Sequence, residues 1–424
     1  MKRESRTVDR SRQVESPTQR HLPLVDLLID TRAELMELAV ASGLKVLTTM
    51  LEADRTALCG PRYQHQAARA ASRAGRVASE VILGGRKVQI RRPRVRAGGH
   101  EVALPTFEAF ADTDPLNGRV VEQMLIGVAT RQYGRSLEPT GPDVQTRGTS
   151  KSAVSRRFVA KTAAQLTAWR STALDALDLV ALLIDGVHIG EHCIVVALGI
   201  DHTGVKHALG LWDGSTENAA VCQSLLADLQ SRGLRTDRSL LVILDGSKAI
   251  HKAVTQTWGP AALIHRCHVH KLRNILEQLP EGQRPWVRAI VARAYKAEVA
   301  TARRLLQDLA RRLDDRYPSA ARSVREGLEE TLTILTLGLS DRLRQSLATT
   351  NAIESLISRT RHVKRNVKRW RGGHMVLRWT AAAILEAVKG FRRLKGHKDM
   401  PKLVAALRAR DQQLGIVVSV ENVA

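Results

Sequence analysis

Two short apolar runs in this chain end the same way: ALLIDG closes on Asp185-Gly186 and LVILDG on Asp245-Gly246. Continuous aliphatic stretches of this length, bounded by glycine, suit strands buried on both faces better than half-solvated ones. The flanking pattern alternates. LVALLIDG, CIVVALGID and VKHALGLW predict three successive strands, and STENAAVCQSLLADLQSRG predicts a helix capped by Ser215 or Thr216 and closed by Gly233. SLLVILDG predicts a fourth strand, KAIHKAVTQTW a helix and AALIHRC a fifth strand. From residue 271 to about 345 the pattern is helical throughout, and another helix is expected around Asn351 to Thr360.

That order of elements, α/β with a helical block between the fifth strand and the last helix, is the order of a ribonuclease H-like core carrying an all-helical insertion. Placed side by side, the first and fourth strands would bring Asp185 and Asp245 out at one edge of the sheet. Hard oxygen ligands with open positions suit Mg²⁺, for which Mn²⁺ substitutes. A lone Asp-Gly is an ordinary strand-ending turn; its recurrence at matching addresses points to chemistry. A third ligand has to come from a helix packed at that edge, and Glu354 in TTNAIESLISRTRHVKR is the candidate. A second reading fits it: with Asn351 as N-cap, Glu354 occupies the third helical position and could close a capping box. Three carboxylates can hold two divalent cations about 3.5 to 4 Å apart, a geometry suited to phosphodiester chemistry. Asp201 follows the second strand, which should run the opposite way, and is set aside.

Charge points to the partner. The chain has 66 Lys and Arg against 42 Asp and Glu, a formal net charge of +24, which predicts a polyanion, with nucleic acid first. No apolar run approaches the roughly 18 residues of a spanning helix, and the start MKRESRTVDR lacks a signal-peptide h-region; the expectation is a cytoplasmic, DNA-associated protein that does not engage membranes. Cys59, Cys193, Cys222 and Cys267 form no Cys-x-x-Cys pair, which argues against a disulfide framework and a four-cysteine zinc site.

Residues 1–23 read as a disordered basic arm, and 24–170 as a mostly helical DNA-binding region interrupted by a β-hairpin. Helical pattern runs from Leu24 to Ala78 with a break at Gly60-Pro61, after which Val81, Leu83, Gly84-Gly85, Val88 and Ile90 mark the hairpin. Eight basic residues between Arg73 and Arg96, among them Arg86, Lys87, Arg91 and Arg92, face a single acid, Glu80. They read either as charges protecting a sheet edge or as phosphate contacts. Helices over 116–133 and from Ser150 suggest a helix-turn-helix that presents Lys151, Arg156 and Arg157 to DNA; the long spacer also fits an ordinary basic helical pair. Between Arg359 and Lys398 stand thirteen basic residues and one acid, Glu386. Arg359, Arg361, Lys364, Arg365, Lys368 and Arg369 are therefore expected on phosphates, joined by Lys271 and Arg273. HRCHVHKLRN crowds His265, Cys267, His268 and His270 together, which invites a zinc reading, but no second ligand pair follows. Packing, or a functional role without metal, are the other readings.

With these residues in place, the chain resembles the prokaryotic mutator-type insertion-sequence transposases, related to eukaryotic mutator and hAT elements. The blocks that carry the resemblance are LLIDGVHIG, LGLWDGSTENA, LVILDGSKAIHKAV, HRCHVHKLRN and TTNAIES, over about residues 175 to 390. The resemblance implies that Asp185, Asp245 and Glu354 are a catalytic, metal-holding Asp-Asp-Glu triad. It implies that Cys267 and His270 are a Cys-x-x-His motif supporting the active site. It also implies a catalytic core over 175–270 and 346–395, an insertion over 271–345, a tail over 396–424, and an N-terminal region that binds terminal inverted repeats. The expected partners are double-stranded DNA, both element ends and target, and further copies of the chain in a homodimer or higher oligomer. A hydrolytic nuclease would share the core without joining strands, and a silent DNA-binding regulator would not need all three acids.

Overall fold

The computed structural model describes residues 23–64, 70–111, 119–137, 140, 144–214, 218–364, 367 and 369–416. The basic arm, Ser215, Thr216, the side chain of Lys364, Arg365 and Lys368 fall outside them. The chain forms two compact units, Met1–Arg119 with Arg131–Lys151, and Val120–Thr130 with Ser152–Ala424. Among the described residues no helix is long and apolar enough to cross a membrane.

The first unit holds α1 (Pro23–Cys59), β1 (Ser72–Leu83), β2 (Arg86–Ala97), β3 (His100–Val102) and α2 (Pro105–Ala111). The hairpin turns at Gly84-Gly85, both with positive φ (60° and 81°), the conformation that a two-residue type I′ turn demands of glycine. Helical pattern was expected through Ala78, but β1 starts at Ser72. Cross-strand pairing from Ser72↔Arg96 to Leu83↔Arg86 overrides local preference there. Val81, Val88 and Val95 on the sheet meet Leu47 and Leu51 of α1 and Phe110 of α2.

The expected helix over 116–133 is α3 (Arg119–Leu125), which stops before Gly127 at φ 104°. Before α4 (Lys151–Arg170) the chain passes through β4 (Thr146–Arg147), which pairs with β2. A strand therefore stands where a helix-turn-helix would have its turn.

In the second unit, β5 (Leu179–Ile189), β6 (His192–Asp201), β7 (Lys206–Gly214), α5 (Ala219–Ser231), β8 (Leu240–Leu244), α6 (Lys248–Trp258) and β9 (Ala262–Arg266) follow the predicted order. Asn218 caps α5, accepting the amide of Val221, and Gly233 closes it at φ 95°. The sheet order is β7-β6-β5-β8-β9, with β5, β8 and β9 parallel and β6 antiparallel to both neighbours.

Then come α7 (His268–Glu277), α8 (Arg284–Ala294), α9 (Val299–Leu313), α10 (Pro318–Arg325), α11 (Leu328–Thr336), α12 (Asp341–Leu347), α13 (Asn351–Lys364), α14 (Gly373–Val388) and α15 (Met400–Gln413). Alternate strand residues point to opposite faces, so the sheet separates two cores. Leu182, Ile184, Val242 and Leu244 meet α5 and α6, while Ala181, Leu183, Leu241 and Ile243 meet Ile353, Leu356 and Ile357 of α13 together with residues of α14 and α15. Helices α7 to α11 enclose a core of their own around Val287, Leu306 and Leu332. Met400–Gln413, expected within a tail, is core-forming: Met400 and Leu403 are buried and Asp411 accepts the amide of Ser239 at 2.7 Å.

Candidate active site

Strand register builds the centre of the site. β5 and β8 pair in parallel from Ala181↔Leu241 to Leu183↔Ile243, and β8 and β9 from Leu240↔Ala262 to Leu244↔Arg266. Continued two residues past Ile243, the same offsets set Asp185, Asp245 and Cys267 in one row across three adjacent strands. The amide of Cys267 extends that ladder onto the carbonyl of Leu244 at 2.7 Å. Strand neighbours lie about 4.8 Å apart, and residues two apart share a face. The row therefore belongs to the face of Leu183 and Ile243, which α13 covers.

Asp185 was expected to end its strand. β5 instead runs on to Ile189, because β6 continues the antiparallel ladder to Ile189↔His192 around Gly190 at φ 61°. Asp185 sits where pairing with β8 has stopped. Its Oδ1 accepts the amide of Gly186 at 2.8 Å. Asp245 does end its strand: Gly246 turns at φ 110°, and Oδ1 of Asp245 accepts the amide of Ser247 at 2.8 Å, where Ser247 caps α6. Asp201 pairs with Leu179 at the opposite end of β5, and its carboxylate is occupied by Thr203, Val205 and His207.

Glu354 comes from the first turns of α13. Its capping-box alternative is not formed: the helix begins at Asn351, whose amide goes to Oγ1 of Thr349. Oε1 of Glu354 instead takes the hydroxyl of Thr350 at 2.5 Å. Asp185 senses the other two acids. Burial, then the charges of Asp245 and Glu354, push the Asp185 carboxyl up to about 7, although the Gly186 amide and His270 oppose the rise. Among the described residues neither Asp185 nor Asp245 has a Lys or Arg partner. Carboxylates are the ligand type that suits a hard divalent cation, and Asp185 and Asp245 are each oriented by a backbone amide, but the oxygens of the three acids are not all within 4.8 Å of one another.

Beside them, Cys267 is fully buried and receives the amide of Thr350 at Sγ, 3.4 Å. Burial works to raise its thiol, but hydrogen bonds from His270 and Thr350 outweigh burial and leave it below its ordinary value. The bond with Cys267 is also what chiefly raises His270. His270 Nδ1 lies 3.7 Å from Oε1 of Glu354. Cys267, His270 and Glu354 form the one trio of potential ligands among the described residues whose donor atoms all lie within 4.8 Å of one another.

The other histidines of HRCHVHKLRN are structural. Burial depresses His265 to about 3 and His268 to about 4. The ring nitrogens of His265 face the carbonyls of Glu330 and Ala348, while His268 faces Thr331 and stacks on Tyr295 at 3.6 Å. These contacts brace α7 and β9 against α11.

The basic residues divide. Lys151, Arg156, Arg273, Arg359, Arg361 and Arg369 are exposed, as is Arg91. Arg157 was expected on DNA but is buried, on the face of α4 that carries Val154, Phe158, Thr162, Leu166 and Trp169. Lys271, also expected on DNA, is buried and donates to the carbonyls of Ser323 and Glu326, where burial lowers it to about 8; it caps the C-terminal end of α10. On the hairpin, Lys87 pairs with Glu80 (2.9 Å) and Arg92 with Glu101 (2.7 Å), while Arg86 is half-buried. Glu52 of α1 and Glu101 of β3 lie outside the window that looked almost free of acids.

Comparison with known proteins gives these features a family. The chain is 29% identical over 265 residues to the transposase for insertion sequence element IS6120 of Mycolicibacterium smegmatis, covering 59% of this chain and 79% of that one. It is 28% identical over 292 residues to the transposase for IS905 of Lactococcus lactis, covering 66% and 70%. It is also 30% identical over 207 residues to a probable insertion-sequence transposase of Corynebacterium diphtheriae, covering 47% of this chain and only 59% of that protein. The profile of the family described as "Transposase, Mutator family" matches residues 29–392, a span that takes in Asp185, Asp245, Cys267, His270 and Glu354 alike. The chain belongs to the Mutator family of transposases.

Proposed function

We propose that this protein binds the terminal inverted repeats of an insertion sequence and cuts and joins DNA strands at a Mg²⁺ site held by Asp185, Asp245 and Glu354, with Mn²⁺ able to substitute. The observation that carries the reading is the shared row of Asp185 and Asp245 beneath α13, where the charges of Asp245 and Glu354 act on a buried Asp185. The sheet order, with one antiparallel strand and a separately cored helical segment between β9 and α13, supports a ribonuclease H-like core with an all-helical insertion. When bound, the divalent ions supply charge stabilisation for the attacking and leaving oxygens of the phosphodiester. The chain's own part is to fix the carboxylates: the Gly186 amide orients Asp185, the Ser247 amide orients Asp245, and the Thr350 hydroxyl orients Glu354. Exposed Lys151, Arg156, Arg273, Arg359, Arg361 and Arg369 meet phosphates of the end and target DNA, and two or more copies act together on paired ends.

The test is strand cleavage and joining on end-containing duplexes with Mg²⁺, Mn²⁺ or EDTA, for wild type and for D185N, D245N and E354Q. Each amide variant should lose both reactions while still binding end DNA, because phosphate contacts come from the basic residues. Joining in EDTA, or robust joining by E354Q, overturns the metal triad. Cleavage by wild type without any joined product turns the reading to a hydrolytic nuclease.

A further inference from the structure

Thr350 is fully buried, at 0% exposure, immediately before α13. Its hydroxyl stands within reach of three functional side chains: Oε1 of Glu354 at 2.5 Å, Nδ1 of His270 at 3.3 Å and Sγ of Cys267 at 3.4 Å. Its amide also points at Sγ of Cys267. A hydroxyl has one proton to give and two lone pairs, so it can donate to only one of the three. The short separation to a carboxylate, typical of an O–H···O⁻ bond, makes Glu354 the recipient. The oxygen is then free to accept from His270 while the backbone amide serves the sulfur. The same distance argues against Thr350 and Glu354 sharing one tetrahedral metal, whose ligand oxygens at about 2.0 Å from the ion would stand further apart.

We propose that Thr350 is the positioning residue of this site: it links the Cys267–His270 pair to Glu354 and holds the Glu354 carboxylate in its metal-binding orientation. The proposal rests on the triad reading above. Partners that orient a metal ligand from outside typically change metal affinity or activity by about 10- to 100-fold when removed. Thr350→Val keeps the shape and both branches but removes the proton, and Thr350→Ser keeps the proton but removes a methyl group.

The experiment measures Mn²⁺ binding to the purified full-length protein by electron paramagnetic resonance, alongside strand cleavage, thermal melting and end-DNA affinity, for wild type, T350V, T350S and D185N. T350V should bind Mn²⁺ about 10- to 100-fold more weakly and lose cleavage by a comparable factor with end-DNA affinity unchanged, whereas T350S should stay within a few-fold of wild type. Equal losses in T350V and T350S would reveal a packing role and overturn the proposal, as would wild-type Mn²⁺ affinity in T350V. If D185N binds Mn²⁺ as tightly as wild type, the triad reading itself fails. That outcome is separable from the first two, which leave D185N deficient. Stoichiometric zinc in the purified protein, lost in Cys267→Ser, would replace the hydroxyl link by a metal link and sink the proposal by another route.

Discussion

Replacing Asp185 by Asn should stabilise the metal-free protein while abolishing its chemistry. A carboxyl raised from its ordinary 3.8 to about 7 carries, at about 1.4 kcal/mol for each tenfold change in proton affinity, a cost of roughly 4 kcal/mol when ionised. Partial solvent access and local rearrangement reduce this to on the order of 1–3 kcal/mol. The sign follows from proton binding: the folded carboxyl keeps its proton to higher pH than the unfolded one, so stability is lost as pH rises from about 4 to about 7 and stays low above. Asn removes the charge, and its side-chain carbonyl can still accept the Gly186 amide. At roughly 2 °C per kcal/mol for a unit of this size, D185N should melt a few degrees above wild type in EDTA at pH 8, and the gap should shrink to about a third of that at pH 5. Millimolar Mn²⁺ should raise the wild-type midpoint and leave the variant's unchanged, since only a form that binds the ion gains from it. Thermal scans at the two pH values, with and without Mn²⁺, decide the matter. A variant that melts at or below wild type in EDTA at pH 8 refutes the claim that uncompensated charge is stored at this position.

Three further outcomes are expected. Lys271→Met should lower the melting midpoint without changing end-DNA affinity or its salt dependence, because Lys271 serves the buried carbonyls of Ser323 and Glu326; a shallower salt slope would restore it as a phosphate contact. A fragment ending at residue 170 separates Val154, Phe158, Leu166 and Trp169 of α4, and Val120 and Leu125 of α3, from the rest of the second unit and should aggregate on gel filtration; a dispersed fragment would contradict the unit assignment. Apparent Mn²⁺ affinity should weaken by up to tenfold for each pH unit below about 7 and level off above it, as the Asp185 proton competes with the ion, and a flat titration between pH 5.5 and 8 would exclude that competition.

Much of the second unit was legible because its strands are written in unbroken aliphatic runs, two of which lead into the candidate acids. The triad candidates stood out for that reason, and so did the hairpin, whose Gly84-Gly85 turn has few conformational alternatives. What escaped reading depends on contacts distant in sequence. Ser72 to Ala78 carries no strong strand signal and becomes a strand only because β2 pairs with it. The basic hairpin looked uncompensated because its acids, Glu52 and Glu101, come from other elements. Lys271 and Arg157 look like any other cation in a basic helix, and only packing reveals that they are buried. The common row of Asp185, Asp245 and Cys267 needed a register that sequence does not supply. Thr350 did leave a trace, standing four residues before Glu354 across the start of a helix, but a threonine there reads first as a cap.

The arrangement also decides where the site is rigid and where it can move. Asp185 and Asp245 belong to or directly extend strands buried on both faces, and Cys267 extends β9 on the ladder it shares with β8, so they move together with the sheet or not at all. Glu354 differs. It rides on α13, positioned by Ile353, Leu356 and Ile357 packing on the sheet, and such contacts fix a helix axis better than they fix a long carboxylate side chain. Apolar packing is non-directional, whereas a short hydrogen bond to a carboxylate is directional. The polar link from His270 and Thr350 to Glu354 supplies the orientation that the aliphatic contacts cannot. Under the proposal above, the Cys-x-x-His segment acts through the placement of the one acid that the sheet does not hold.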